Sequence, residues 1–137
     1  MKSMITVFSL ILSLSSFADI VKEPLKDIVI HGCAAVAEEM FSGDVTSKCY
    51  ATGERLIRQQ NGPNATRVGK FITDLCTDLP TGGIFRPDYR GACLVGVARD
   101  SKDRVLKGIF NQCLDVMMGT NSLEEGNRCF VEEYRSL

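Results

Sequence analysis

The sequence predicts an all-α protein whose six helices form three disulfide-stapled antiparallel hairpins, stacked as a short repeat array. Its 137 residues hold six cysteines, and long and short gaps between them alternate. Apolar residues near these cysteines recur at steps of three and four, which is typical of helices. Turn-forming residues lie between the members of each successive cysteine pair. The three pairs therefore predict three hairpins, with cysteines at Cys33, Cys49, Cys76, Cys93, Cys113 and Cys129.

The first segment predicts a signal peptide over residues 1–18. Lys2 precedes a largely apolar stretch from Met4 to Leu14, which is shorter than the roughly 20 residues that span a bilayer. Small residues at the end of the segment favour cleavage after Ala18. We therefore expect a single helical domain over residues 19–137 in an oxidising compartment: secreted, or periplasmic in a bacterium.

The first hairpin is predicted from the residues around Cys33 and Cys49. The midpoint between these two cysteines falls beside Ser42-Gly43, a turn signal, and Asp44 is a candidate N-cap for the helix that follows. The predicted helices cover 21–41 and 45–60.

The second hairpin has the clearest helical period and the longest connection. The turn signal at Pro80–Gly83 ends its first helix, and Pro87-Asp88 opens its second. The predicted helices cover 65–79 and 88–100. The period is carried by Val68, Phe71, Ile72, Leu75, Cys76 and Leu79.

The third hairpin has the strongest single start signal. Ser122 and Glu125 form the S-x-x-E capping box after a turn at Gly119–Ser122. The predicted helices cover 102–118 and 122–135. Residues 99–103 contain neither Gly nor Pro, so two alternatives stay open there: a new helix capped by Ser101, or one long helix across 88–118.

The turn positions predict the disulfide pairing. Six cysteines allow 15 connectivities. Residues equidistant from the turn of an antiparallel hairpin face each other, and the pairs 33–49, 76–93 and 113–129 are each centred on the turn signal of their own hairpin, so this geometry selects these three pairs. No C-x-x-C spacing is present, so the cysteines predict neither a zinc site nor a redox dithiol, and we expect no metal and no cofactor.

Composition and spacing exclude several function classes. The sequence has 16 basic and 17 acidic side chains and a net charge of −1. Nucleic acid and anionic membrane surfaces select a basic excess, so we expect no nucleic-acid partner and no membrane insertion after signal cleavage. The chain also lacks the C-x-x-x-C and C-x8-C spacings of insect odorant-binding proteins, and no family is assigned.

Catalytic motifs are absent from the sequence. His31 is its one histidine, and neither G-x-S-x-G nor H-E-x-x-H occurs. We therefore expect no enzymatic activity. The alternative is a small hydrolase, in which His31 would converge with an acid and a hydroxyl group.

One connection combines apolar, aromatic and arginine residues, which are the types enriched in protein interfaces. Its candidates for protein contact are Ile84, Phe85, Arg86, Tyr89 and Arg90. The competing interpretation is that Ile84 and Phe85 close the end of the hairpin core. The predicted function is an exported, non-enzymatic binding or scaffold module with an unknown protein partner. The alternative is a carrier of a small apolar ligand, which would show a closed apolar cavity.

Overall fold

The computed structural model describes residues 20–60, 67–81 and 87–137, which contain six α-helices and no strand. This confirms the predicted all-α fold class. The predicted signal peptide and the predicted mature N-terminal residue, Asp19, lie outside the described residues. The helices are α1 (Leu25–Ala37), α2 (Gly43–Gln59), α3 (Val68–Thr77), α4 (Tyr89–Asp100), α5 (Arg104–Thr120) and α6 (Leu123–Arg135).

Three disulfides connect the helices in pairs, as predicted. Cys33–Cys49 joins α1 to α2, Cys76–Cys93 joins α3 to α4, and Cys113–Cys129 joins α5 to α6. No described cysteine is free. Since such bridges persist in oxidising surroundings, they indicate a compartment outside the reducing cytoplasm. No helix in the described ranges is long and apolar enough to cross a membrane.

Helix α1 is shorter than predicted at both ends. It begins at Leu25 rather than residue 21, because Pro24 is extended (φ −61°, ψ 145°) and proline also keeps the residue before it out of the helical region. It ends at Ala37, four residues before the predicted boundary. The predicted cap at Asp44 is wrong: Asp44 lies in the first turn of α2, and Ser42 occupies the N-cap position.

Two helices, not one, cover residues 88–118. The chain turns out of α4 at Ser101, which has an extended backbone with ψ 145°. Asp103 caps α5, since its carboxylate accepts hydrogen bonds from the backbone N–H of Val105 at 2.9 Å and of Leu106 at 3.3 Å. The predicted cap at Ser122 is present, and Asp88, where α4 was predicted to open, caps that helix; each accepts a bond from a backbone N–H three residues later.

The second hairpin lies between the first and the third, so the hairpins are stacked in the order in which they occur in the sequence. Its helix α4 packs most extensively against α1, and α3 and α4 both contact the third hairpin. Gly96 makes the α1–α4 contact possible: a Cβ there would lie 2.3 Å from the Cβ of Ala35 and 2.9 Å from the carbonyl oxygen of His31.

The apolar core runs through all three hairpins. Its largest fully buried side chains include Phe71, Phe130 and Tyr134. The Tyr134 hydroxyl donates a 2.6 Å hydrogen bond to the carbonyl oxygen of Leu94, so α6 is tied to α4 through a polar group inside the core.

The turns of the first and third hairpins lie at the same end of the molecule as the start of α4. The Tyr89 hydroxyl bonds the carbonyl oxygens of Met40 and Phe41, and Asp88 accepts a 2.7 Å bond from the Asn127 side chain in α6. We call this end of the molecule, which holds both turns and the start of α4, the turn end. A groove along α4 opens beside it.

Candidate protein-contact site

The segment Glu38–Phe41, which we call the first turn, exposes two large apolar side chains. Phe41 is 91% exposed and Met40 is 68% exposed. Phe41 also has a positive φ of 59°. Glycine and asparagine adopt this left-handed backbone at little cost, whereas a bulky residue there is an outlier.

The third hairpin shows what such a position normally holds. At the end of α5 the chain also enters the left-handed region, and the residue there is Asn121 (φ 49°, ψ 39°). Asparagine is a common choice at the end of a helix. Phe41 therefore strains the backbone and gains almost no burial in return.

Glu38 and Glu39 also lie where their negative charge lowers the stability of the fold. They directly follow α1, whose C-terminal end carries partial negative charge. Glu38 lies 3.5 Å from Arg99, but both side chains are largely exposed, so the pair contributes little. The first turn thus combines two unfavourable carboxylates with two unburied apolar side chains.

Rigid contacts hold the first turn in place. Tyr89 donates to both Met40 and Phe41 carbonyl oxygens, at 3.1 and 3.3 Å. The Ser42 hydroxyl bonds the Ala37 carbonyl oxygen at 3.3 Å, and the Cys33–Cys49 bridge fixes the two helices that the turn connects. A preorganised surface of this kind loses less entropy when a partner binds.

The groove begins next to the first turn and follows α4 from Asp88 to Arg99. Its volume is about 480 Å³. Gly91, Ala92 and Val95 of α4 form the floor of the groove, and larger apolar side chains of α5 and α6 form the opposite wall. Those wall residues are Phe110, Leu114, Met117, Leu123 and Phe130.

The rim of the groove is acidic next to the first turn. Glu38 and Glu39 both line it, and Asp88 lies at the adjoining end of α4. Arg99, the basic residue of the rim, lies 3.5 Å from Glu38. Its guanidinium also donates two 2.9 Å bonds to Asp100. These bonds lower the pKa of the Asp100 carboxyl below its usual range and raise the pKa of Arg99.

Two of the five predicted contact residues, Tyr89 and Arg90, lie in the part of the chain that the structure describes. Tyr89 is only 6% exposed, and Arg90 donates a 2.6 Å bond to the Leu79 carbonyl oxygen, so both have structural partners. Ile84, Phe85 and Arg86 lie outside the described residues. The predicted contact between this connection and a partner stays a prediction.

His31 does meet an acid and a hydroxyl group, but in an order unsuited to nucleophilic catalysis. Its Nε2 lies 2.8 Å from Oε1 of Glu23, and Ser101 donates to the other oxygen of the same carboxylate. A nucleophile needs the imidazole beside it, with the acid behind. Here the Glu23 carboxylate lies between the imidazole and the hydroxyl group, and Ser101 is fully buried. The cluster therefore connects the segment before α1 to the corner between α4 and α5.

The described residues contain no group of three or more histidine, cysteine, aspartate or glutamate side chains placed to hold a metal ion. The turn end offers an apolar groove, a carboxylate rim and an exposed aromatic ring.

Sequence reasoning missed the first turn, although it carries a signal. Met40 and Phe41 are two large apolar residues directly before the turn pair Ser42-Gly43, where polar residues are expected. The groove has no local signal, because its floor and walls come from helices far apart in sequence. Comparisons of this chain with protein-family models, with curated proteins and with solved structures find no match.

Proposed function

We propose that this protein is an exported, non-enzymatic binding module that acts through protein contacts at its turn end. The observation that carries the proposal is Phe41, an exposed aromatic ring on a strained backbone that the rest of the fold holds still. Aromatic residues on rigid surfaces are typical anchors of protein interfaces. Sites that cost stability are common where they serve function.

The proposal is tested with Phe41→Asn. Asparagine relieves the left-handed strain, so the free energy of unfolding should rise by up to about 1 kcal/mol. Partner capture from the medium of the native compartment should be lost. Urea unfolding and a pull-down with immobilised protein measure the two effects.

The matched control is Tyr50→Asn, which removes a partly exposed aromatic ring from α2. Tyr50→Asn should capture the same partner as the wild type. A Phe41→Asn variant that still captures it, or that is less stable than the wild type, would contradict the proposal.

A second candidate, a carrier of a small apolar ligand, is favoured by the volume of the groove. Ligand sites usually measure about 300–1,000 Å³, and the groove falls in that range. However, the groove is open along the molecular surface and its rim is acidic, whereas a carrier encloses its ligand. Co-purification of an apolar small molecule with the exported protein would favour the carrier.

A further inference from the structure

We infer that the groove along α4 binds a basic amphipathic helix of the partner protein. This inference rests on the proposed function and specifies the chemistry of the partner. Its basis is the combination of an apolar floor with a rim that carries carboxylates.

The shape of the groove selects a helix. Asp88 and Arg99 are eleven residues apart on α4, so the groove follows about 16 Å of helix axis, or three turns. Helices border it on both sides, and the described residues offer no sheet edge to which an extended peptide could add a strand. The remaining common mode is an amphipathic helix whose apolar face enters the groove.

The apolar lining of the groove favours an apolar stripe on the partner helix. On the floor, Ala92 and Val95 lie one turn apart on α4, and on the opposite wall Leu114 and Met117 lie one turn apart on α5. These positions match the spacing of side chains at i, i+3, i+4 and i+7 on a docked helix.

The carboxylates on the rim favour positively charged side chains on the flanks of the partner's apolar stripe. Glu38 and Glu39 stand together at the groove beside the exposed Phe41 ring. Glu38 has one ion pair, with Arg99 at 3.5 Å, and Glu39 is partly exposed. Since both carboxylates are unfavourable at the end of α1, lysine or arginine of a partner would relieve a repulsion already present in the free protein.

The probe is a synthetic peptide of about 15 residues, with leucine at the stripe positions and lysine on its flanks. Two control peptides are measured beside it: one has glutamate in place of lysine, and the other has the same composition in scrambled order. Isothermal titration at low salt should show the lysine peptide binding at least about tenfold more tightly than either control peptide. This difference in affinity should shrink at high salt.

Variants locate the binding site. Ala92→Leu fills the floor and should weaken the lysine peptide at least about tenfold, because packing density leaves no room for both side chains. Ala51→Leu, the same change at an exposed position of α2, should leave binding unchanged. The double variant Glu38→Gln/Glu39→Gln should weaken the peptide severalfold without loss of folding, while Glu54→Gln/Glu132→Gln, at exposed positions elsewhere, should not.

The outcomes separate the inference from the proposed function. If the lysine and glutamate peptides bind equally well and Ala92→Leu blocks both, the inference of a basic partner helix is overturned. The groove would remain a contact site. No binding of any peptide, with partner capture still dependent on Phe41, would overturn the groove helix alone. A wild-type protein that sediments as a dimer, and as a monomer after Ala92→Leu, would show that a second copy occupies the groove.

Discussion

Phe41 and Asn121 are the two non-glycine residues with a left-handed backbone among the described residues. Asn121 directly follows α5, whereas Phe41 lies four residues after the end of α1, beside the N-cap of α2. Asparagine tolerates a left-handed backbone at little cost, whereas phenylalanine does not. A sequence could reveal Phe41 as an unusual turn residue, but not its left-handed backbone, which depends on the hydrogen bonds from Tyr89.

Tyr134 gives the protein a predictable sensitivity to alkali. Burial raises the pKa of its hydroxyl far above the ordinary value of 10, so the folded protein keeps the proton. The unfolded chain loses it near pH 10. Stability from this group is therefore complete below pH 10 and falls above it, by about 1.4 kcal/mol for each pH unit.

Tyr134→Phe should cancel this fall. At pH 8 the variant should be less stable than the wild type by about 1 kcal/mol, the usual net contribution of one hydrogen bond. Between pH 10 and 11 the difference should vanish or reverse, as measured by urea unfolding. Tyr50→Phe, at a partly exposed tyrosine, should follow the wild-type profile. Parallel profiles for the wild type and Tyr134→Phe would contradict the argument.

At the scale of the helices, sequence patterns located the elements but not their contacts. The capping residues Asp88 and Ser122 were predictable, because a cap acts on backbone groups three residues away. The break at Ser101–Asp103 could not be decided, because no Gly or Pro marks it. The groove could not be predicted either, because its lining comes from α1, α4, α5 and α6, which are far apart in sequence.

Close approach of helices also makes Gly69 a sensitive position. A Cβ on Gly69 would lie 1.7 Å from the carbonyl oxygen of Tyr134, so α3 and α6 would have to move apart. Gly69→Ala should lower the free energy of unfolding by about 1–3 kcal/mol or more, as overpacking does.

Gly108→Ala is the matched control, since a Cβ there has no atom within 4 Å. In an exposed helix interior this change should stabilise the protein by about 0.5–1 kcal/mol. Thermal unfolding of both variants checks the pair. A Gly69→Ala protein as stable as Gly108→Ala would show that α3 and α6 are not in contact as described.

For the whole molecule, the pairing of cysteines could be predicted because each bridge is a local event. The bridged residues are 16 or 17 positions apart, so the symmetry of a single hairpin determines each pair. The order of the hairpins in the array had no comparable signal. It depends on the apolar faces of α3 and α4, which contact both neighbours.

Each bridge should make a similar contribution to stability, because the three loops have nearly equal length. Replacing Cys113 and Cys129 together by alanine should cost about 3 kcal/mol, and the same should hold for Cys33 and Cys49. Urea unfolding of the two double variants measures both costs. Non-reducing peptide mapping of each should still find the two remaining bridges, and a bridge between Cys49 and Cys76 would contradict the hairpin architecture.

The confinement of every disulfide to one hairpin has a mechanical consequence. When the two ends of the chain are pulled apart, residues within a bridged loop cannot extend, because the tension passes directly through the sulfur atoms. The described residues outside the three bridged loops are held by non-covalent contacts. Under load the molecule would therefore lengthen between and beside its hairpins, as a chain with three short inextensible links.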